Sequence, residues 1–220
     1  MITILLIGKT GQVGTELAYT LRPLGKLVAP IRSELDLTNP ESIRRAIHDI
    51  RPDVIVNAGG FTIVDNAESH ADLAVQLNAV APEIIAKSAQ QVGALLVHFS
   101  TTFVFVGAKL NPYTENDTPN PVNTYGRTKL AGERAVIASG VQHIILRANW
   151  VYSAWRTNFA LAMLKSARER PELSVVNDQI GSPTWARDYA GATAAMLKDT
   201  RRLRENPGIY HLSADRKSVV

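Results

Sequence analysis

Residues 2–14, "ITILLIGKTGQVG", join an apolar run to a turn with three glycines, and a helical pattern follows. The run is apolar at nearly every position, which is typical of a strand buried on both faces of a parallel sheet. Gly8, Gly11 and Gly14 would let the backbone turn sharply and approach a pyrophosphate at the N-terminus of the next helix. The stretch therefore predicts a dinucleotide-binding turn, and the alternative is a purely structural turn of the same composition.

The rest of the chain alternates between similar apolar runs and helical patterns. The runs are "KLVAP" (26–30), "DVIVNAG" (53–59), "ALLVHFS" (94–100) and "HIILRAN" (143–149). The helical patterns end at Gly or Pro and are "TGQVGTELAYTLRPLG" (10–25), "NPESIRRAIHDIRP" (39–52), "NAVAPEIIAKSAQQVG" (78–93) and "YGRTKLAGERAVIASG" (125–140). This alternation predicts an α/β fold, a Rossmann-like doubly wound parallel sheet over residues 1–150. Residues 151–220 would form a second, smaller domain.

The composition narrows the function classes. A chain of 220 residues with 45% hydrophobic and 20% charged residues is expected to be soluble and globular, and its net charge of +4 does not predict nucleic-acid binding. There is no cysteine, and the five histidines show no ligand spacing, so no metal site is predicted. The opening "MITILLIG" has no basic leader or cleavage site, and we expect a cytoplasmic protein without a membrane span.

The end of the second predicted strand bears on the choice of dinucleotide. An NAD enzyme usually places an acidic residue there, against the ribose 2′-hydroxyl. Here "VAPIRSELDL" (28–37) has no acid at the strand end, and Arg32 follows it. A guanidinium can pair with a 2′-phosphate, so the sequence favours NADP over NAD, unless Arg32 points to water.

Hydroxyl and amine side chains follow the later strands. "STT" (100–102) ends the fourth strand, and a helix then places Tyr125 and Lys129 one turn apart on one face. A lysine ammonium beside the phenol is expected to lower its pKa, so that Tyr125 can exchange a proton with a carbonyl oxygen. Thr101 could hydrogen-bond the same oxygen while a nicotinamide delivers hydride to the carbon. The alternatives are a strand-end cap at Thr101 and a solvated helix face.

These residues carry a resemblance to the extended, nucleotide-sugar branch of the short-chain dehydrogenase/reductases, and within it to the dTDP-4-dehydrorhamnose reductase family. The similar stretches are "GKTGQVG", "RPDVIVNA", "VDNAES", "HFSTTFVF", "NTYGRTKLAGE", "RANWVY" and "VVNDQIGSPT". The resemblance implies reduction of the C4 ketone of dTDP-4-dehydro-L-rhamnose by NADPH, with NADH as an alternative. The dTDP-L-rhamnose formed would supply the synthesis of cell-surface polysaccharide such as lipopolysaccharide.

The resemblance also implies roles for individual residues. The catalytic residues would be Thr101, Tyr125 and Lys129. The substrate contacts would be Thr101 and Trp150. The cofactor-binding residues would be Gly8, Gly11, Gln12, Val13, Gly14, Arg32, Asp36, Leu37, Gly60, Phe61, Thr62, Phe99, Tyr125 and Lys129. Asp178, Gln179 and Thr184 would either line the cleft between the domains or shape the turn at Gly181 and Pro183.

Some positions differ from the family pattern. Thr102 stands where the family usually has an aspartate, Phe103 where it has a tyrosine, and Phe61 where it has a histidine. Asn66 stands where the family pattern "VDKAE" has a different polar or charged residue. The final "ADRKSVV" (214–220) does not resemble the family, so we expect the substrate domain to be partial. The alternative function is a cofactor-binding protein with little catalysis, either a degenerate reductase or a regulatory subunit like that of methionine adenosyltransferase. A homodimer is also expected.

Overall fold

A computed structural model of the chain describes residues 1–214 and the backbone of residues 218–219. Its centre is a six-stranded sheet in which all the strands are parallel. In chain order the strands are β1 (Ile2–Ile7), β2 (Gly25–Val28), β3 (Val54–Asn57), β4 (Leu95–Thr101), β5 (His143–Ala148), β6 (Val151–Tyr152), β7 (Ile180–Gly181), β8 (Thr184–Trp185), β9 (Gly208–His211) and β10 (Ser218–Val219). The central sheet has the order β2-β1-β3-β4-β5-β9.

Helices connect most of these strands. They are α1 (Gln12–Thr20), α2 (Pro40–Ile50), α3 (Asn66–Ser69), α4 (Ala71–Val75), α5 (Ala81–Val92), α6 (Thr124–Ala138), α7 (Phe159–Glu169), α8 (Ala186–Leu197) and α9 (Thr200–Glu205). A π-helical segment, Gln76–Val80, joins α4 to α5 without a break. Short 3-10 turns lie at Arg22–Leu24 and Thr102–Val104. Among the described residues, no helix is both long and apolar enough to cross a membrane.

The sheet has an apolar layer on each face. Successive β1 residues point to opposite sides, so Leu6 packs in one layer and Leu5 in the other. The first layer includes Leu17 of α1 and Tyr189 of α8, and the second includes Ile85 of α5. Burial on both faces explains why these strands are continuous apolar runs in the sequence.

The predicted doubly wound parallel sheet is confirmed, and each predicted run and helical pattern contains an element of the expected type. The sixth strand of the sheet, β9, comes from the segment after residue 150 and pairs with β5. Two short ladders, β6 with β8 and β7 with β10, lie outside the central sheet. The division at residue 150 stays a prediction, and the expectation for residues 214–220 falls largely outside the described residues.

The strand order locates the place where a ligand would bind. The chain leaves β1 toward β2 on one side, and β3 lies on the other side of β1. This reversal opens a crevice beyond the carboxyl ends of β1 and β3, where doubly wound sheets bind their ligands.

Candidate active site

The glycine-rich turn after β1 is closely packed, and a different constraint favours glycine at each of its positions. Gly8 has φ +85°, and a Cβ there would lie 2.6 Å from the Gly59 nitrogen in the loop after β3. A Cβ at Gly14 would lie 2.0 Å from the Gly8 carbonyl oxygen. Gly11 is the N-cap of α1, and its nitrogen donates to the Gly8 carbonyl oxygen at 3.0 Å.

This geometry fits a dinucleotide pyrophosphate. The close approach of Gly8 to Gly59 and of Gly14 to Gly8 brings the N-terminus of α1 to the crevice without side chains in between. The backbone N–H groups of the first helical turn have no partner within the helix, and the helix dipole favours an anion there. Gln12 and Val13 provide two of these groups, and their predicted contact with the cofactor stays a prediction.

The loop after β3 is fixed by a buried asparagine that the sequence analysis missed. Asn78, in the π-helical segment, accepts from the Phe61 backbone nitrogen at 2.8 Å and donates to the Phe61 carbonyl oxygen at 3.0 Å. It also donates to the Thr128 hydroxyl of α6 at 3.2 Å. A Cβ at Gly60 would lie 2.8 Å from Asn78 Oδ1. The loop that includes Gly60, Phe61 and Thr62 is therefore tied to the helix that carries Tyr125.

The predicted adenine end lies beyond β2. Asp36 accepts from the backbone nitrogen and hydroxyl of Thr38, and these bonds lower the pKa of its carboxyl, as does nearby Arg32. Leu37 lies against the loop after β3, because a Cβ at Gly59 would come within 2.7 Å of Leu37 Cδ1. Arg32 is 81% exposed, with Nε 3.8 Å from Asp36 Oδ1. Its guanidinium is thus accessible for a phosphate.

The structure brings Thr101, Tyr125 and Lys129 together. Thr101 ends β4, and Tyr125 and Lys129 lie on α6, whose N-cap Asn123 accepts from the Gly126 nitrogen at 2.7 Å. All three side chains are buried, and the side chain of Thr101 lies near enough to the hydroxyl of Tyr125 to affect its pKa. Lys129 Nζ donates to the Phe99 carbonyl oxygen at 2.6 Å.

The pKa of Tyr125 differs from the sequence expectation. Burial raises the pKa of its phenol to about 12, and the nearby side chain of Thr101 opposes this shift without cancelling it. The predicted lowering is therefore wrong for this arrangement. Lys129 shifts in the opposite direction: burial lowers the pKa of its ammonium to about 8, against the attraction of Glu133. Desolvation dominates both shifts because both groups are enclosed.

Aromatic side chains surround Tyr125. The Phe103 ring lies edge-on to the Tyr125 ring with centroids 5.7 Å apart, and Phe61 packs in the same cluster. Two of the positions that differ from the family pattern therefore lie in the apolar cluster that contains the tyrosine. The Phe99 ring instead packs edge-on to Tyr189 at 4.9 Å, and only its carbonyl faces Lys129.

A buried ion pair supports the helix below Lys129. Arg147 on β5 donates to both carboxylate oxygens of Glu133, from Nε at 2.9 Å and from Nη2 at 2.6 Å. Ser100 donates to the same carboxylate, and the guanidinium lies 5.1 Å from the centroid of the Phe105 ring. The sequence carried a signal for this pair, because an arginine inside the apolar run "HIILRAN" requires a buried acidic partner.

On the substrate side, Trp150 is the residue with the most unusual backbone. It has φ +41°, which is rare for a bulky residue and is found preferentially at functional sites. Its ring covers Gly181, where a Cβ would lie 2.6 Å from Trp150 Cε2. Thr184 is buried and donates to the Ser182 carbonyl oxygen at 3.0 Å, while Asp178 and Gln179 are exposed. Thr184 therefore shapes the turn, and the predicted substrate contact of Trp150 stays a prediction.

Within residues 1–214, no group of three or more His, Asp or Glu side chains is placed to hold a metal ion.

A threonine at a strand end with a Tyr-x-x-x-Lys helix packed beside it, next to a dinucleotide turn, defines the short-chain dehydrogenase/reductase class. Within that class, the chain belongs to the family described as the RmlD substrate binding domain, whose sequence profile matches residues 2–219. It is 48% identical over 215 residues to the dTDP-4-dehydrorhamnose reductase of Shigella flexneri, covering 96% of this chain and 72% of that protein.

Solved structures agree with this assignment. The dTDP-4-dehydrorhamnose reductase of Bacillus anthracis in complex with NADP is similar at a TM-score of 0.93 and 34% identity, over 99% of this chain and 76% of that one. The corresponding protein of Clostridium acetobutylicum is similar at a TM-score of 0.92 and 34% identity, with the same coverage of 99% and 76%.

Proposed function

We propose that the chain is an NADPH-dependent oxidoreductase that converts dTDP-4-dehydro-L-rhamnose to dTDP-L-rhamnose by reduction of the C4 ketone. The observation that carries the proposal is the burial of Thr101, Tyr125 and Lys129 at one site, with the Thr101 side chain near the phenol of Tyr125. The similarity to proteins named dTDP-4-dehydrorhamnose reductase supports this choice of substrate. The product would enter the synthesis of cell-surface polysaccharide.

The cofactor is assigned from the crevice beyond the carboxyl ends of β1 and β3. The turn over Gly8, Gly11 and Gly14 would hold the pyrophosphate, and exposed Arg32 would pair with the 2′-phosphate that distinguishes NADPH from NADH. The Bacillus anthracis protein was solved with NADP, which supports this assignment. When bound, the dihydronicotinamide supplies the hydride that reduces the ketone carbon.

Tyr125 would act as the general acid. A phenol whose pKa is raised to about 12 stays protonated at neutral pH, and the reduction needs a proton for the oxygen of the ketone. Thr101, whose side chain lies near the Tyr125 hydroxyl, would hold the same oxygen and stabilise the negative charge that develops on it. The ammonium of Lys129 would stabilise the phenolate left after proton transfer.

The test is NADPH oxidation, followed by absorbance, with dTDP-4-dehydro-L-rhamnose and purified protein. We expect turnover in the unaltered protein and a loss of about a thousandfold or more in Tyr125→Phe. A separate NADPH titration of the same variant should give a Kd within about threefold of the unaltered value, since Phe keeps the ring. Binding without turnover in the unaltered protein would instead support the alternative, a cofactor-binding protein with little catalysis.

A homodimer and a cytoplasmic location complete the proposal. They follow from the expected class of biosynthetic enzyme acting on a dTDP-sugar. Light scattering coupled to size-exclusion chromatography would test the first, and cell fractionation with an antibody to the chain would test the second. A monomer at micromolar concentration, or recovery in the membrane fraction, would contradict the respective expectation.

A further inference from the structure

The segment 153–158, between β6 and α7, is fastened to the glycine-rich turn and the start of α1. Ser153 donates its hydroxyl to Gln12 Oε1 at 2.9 Å, and Asn158 donates to the same oxygen at 3.1 Å. Trp155 Nε1 donates to Glu16 Oε1 at 2.8 Å. Segment 153–158 therefore covers the turn, and its position is fixed by hydrogen bonds to residues of α1.

Arg156 lies within segment 153–158 and has an unusual backbone conformation. Its φ is +65°, a left-handed value that costs free energy in a residue with a long side chain. Such a conformation persists where the surroundings impose it, and here residues 153, 155 and 158 are all anchored. The guanidinium is consequently brought back over the turn, where Arg156 Nε donates to the Thr10 carbonyl oxygen at 2.9 Å.

Within the described part of the chain, no carboxylate pairs with the charge of Arg156. No carboxylate of residues 1–214 lies within 4.0 Å of its guanidinium nitrogens. The nearby acid Glu16 is engaged by Trp155 and by Arg187, whose Nε lies 3.3 Å from Glu16 Oε2. Only one N–H of Arg156 is used by Thr10, and four remain on a planar group suited to phosphate oxygens.

We propose that Arg156 binds the pyrophosphate of the dinucleotide, beside the glycine-rich turn. This inference rests on the proposed function and adds a cofactor-binding residue from the segment before α7. It makes a distinct prediction from that for Arg32: Arg156 would recognise a group that NADPH and NADH share, whereas Arg32 would recognise the 2′-phosphate that only NADPH carries.

The test is a set of titrations of purified protein with NADPH, NADH and dTDP, each followed by fluorescence or calorimetry. The variant is Arg156→Gly, because glycine accepts the left-handed backbone and removes only the side chain. We expect the Kd values for NADPH and NADH to rise together by about tenfold. Arg32→Ala should raise the Kd for NADPH alone, and Arg45→Ala, which removes an exposed charge from α2, should change neither.

Titration with dTDP separates the two sources of pyrophosphate. An unchanged dTDP Kd in Arg156→Gly is expected, and a selective rise in the dTDP Kd would assign Arg156 to the substrate and overturn the proposal. Equal weakening of all three ligands would indicate a structural defect and also overturn it, as would dinucleotide Kd values within twofold of the unaltered protein. If the unaltered protein binds neither dinucleotide, the proposed function itself fails.

Discussion

Lys129 shows how the site constrains a single residue. Its ammonium is buried against the Phe99 carbonyl, and its pKa of about 8 lies below the usual 10.5. Between these values the unfolded chain binds more protons than the folded chain, so the free energy of unfolding should rise with pH over this window. At neutral pH the buried ammonium of Lys129 therefore lowers the free energy of unfolding.

We predict that Lys129→Met is more stable than the unaltered protein by about 2 kcal/mol near pH 7, after allowance for the lost hydrogen bond. The difference should narrow between about pH 8 and pH 10, where the lysine becomes neutral. Urea denaturation across this range measures it. A difference that does not change with pH would contradict the depressed pKa. Turnover should be lost in the variant at every pH.

At the residue scale, the sequence could place Tyr125 and Lys129 on one helix face because their spacing is local, and it could place Thr101 at a strand end on the same edge of the sheet. Their catalytic roles stay predictions. It could not give the direction of the Tyr125 pKa shift. That shift depends on burial by Phe61 and Phe103, which come from other elements of the fold. Roles that depend on enclosure are decided by tertiary packing.

At the scale of elements, the π-helical segment Gln76–Val80 interrupts the regular helix from α4 to α5. π-helical turns often occur at functional sites, and this one directs Asn78 toward both the loop after β3 and α6. It also permits close packing, because a Cβ at Gly132 of α6 would lie 2.0 Å from the Asn78 carbonyl oxygen.

Asn78→Ala should lower the free energy of unfolding by about 2–3 kcal/mol, because it leaves the Phe61 backbone groups without their partner. The KM for NADPH should rise as the loop over Gly60 loosens. Gln76→Ala is the matched control in the same segment, since its amide makes only a 3.5 Å contact with the Thr38 carbonyl oxygen. Equal losses in the two variants would show that the segment, and not the asparagine, is what matters.

The pair formed by Glu133 and Arg147 joins α6 to β5. Removing one partner leaves a buried charge, so Arg147→Met should cost about 3–5 kcal/mol. The double variant Glu133→Leu/Arg147→Met should recover part of that loss, because neither member of the pair is left as an unpaired buried charge, while Lys129 loses the attraction of Glu133. Chemical denaturation of both variants measures this. A double variant as unstable as the single one would contradict a role confined to charge pairing.

Strands and helices were largely predictable from the sequence, because apolar runs and terminal glycines are local signals. The π-helical turn was not, since nothing in "QLNAV" (76–80) distinguishes it from an ordinary helix. Neither was the pairing of β9 with β5, which joins residues such as Arg147 and His211 across a long stretch of chain. Register between distant strands is set by the packing of the whole sheet.

At the scale of the whole molecule, the site combines contributions from both sides of residue 150. The dinucleotide turn belongs to the first strand and helix, while residues 153–158 cover it. Ligand binding should therefore stabilise the protein as a unit. At NADPH concentrations a hundredfold above Kd, we expect about 2.7 kcal/mol of added stability. Thermal melts with and without NADPH measure it, and Tyr125→Phe should show the same gain.

The central claim is that the chain transfers hydride to the C4 ketone of a dTDP-sugar. It can be tested by labelling the transferred hydrogen with deuterium. Purified protein would be incubated with dTDP-4-dehydro-L-rhamnose and NADPH deuterated at the nicotinamide C4, and the product examined by NMR and mass spectrometry. We predict dTDP-L-rhamnose carrying deuterium at sugar C4, and no product with Tyr125→Phe. Unchanged substrate with the unaltered protein, or a product without the label at C4, would contradict the proposed reduction.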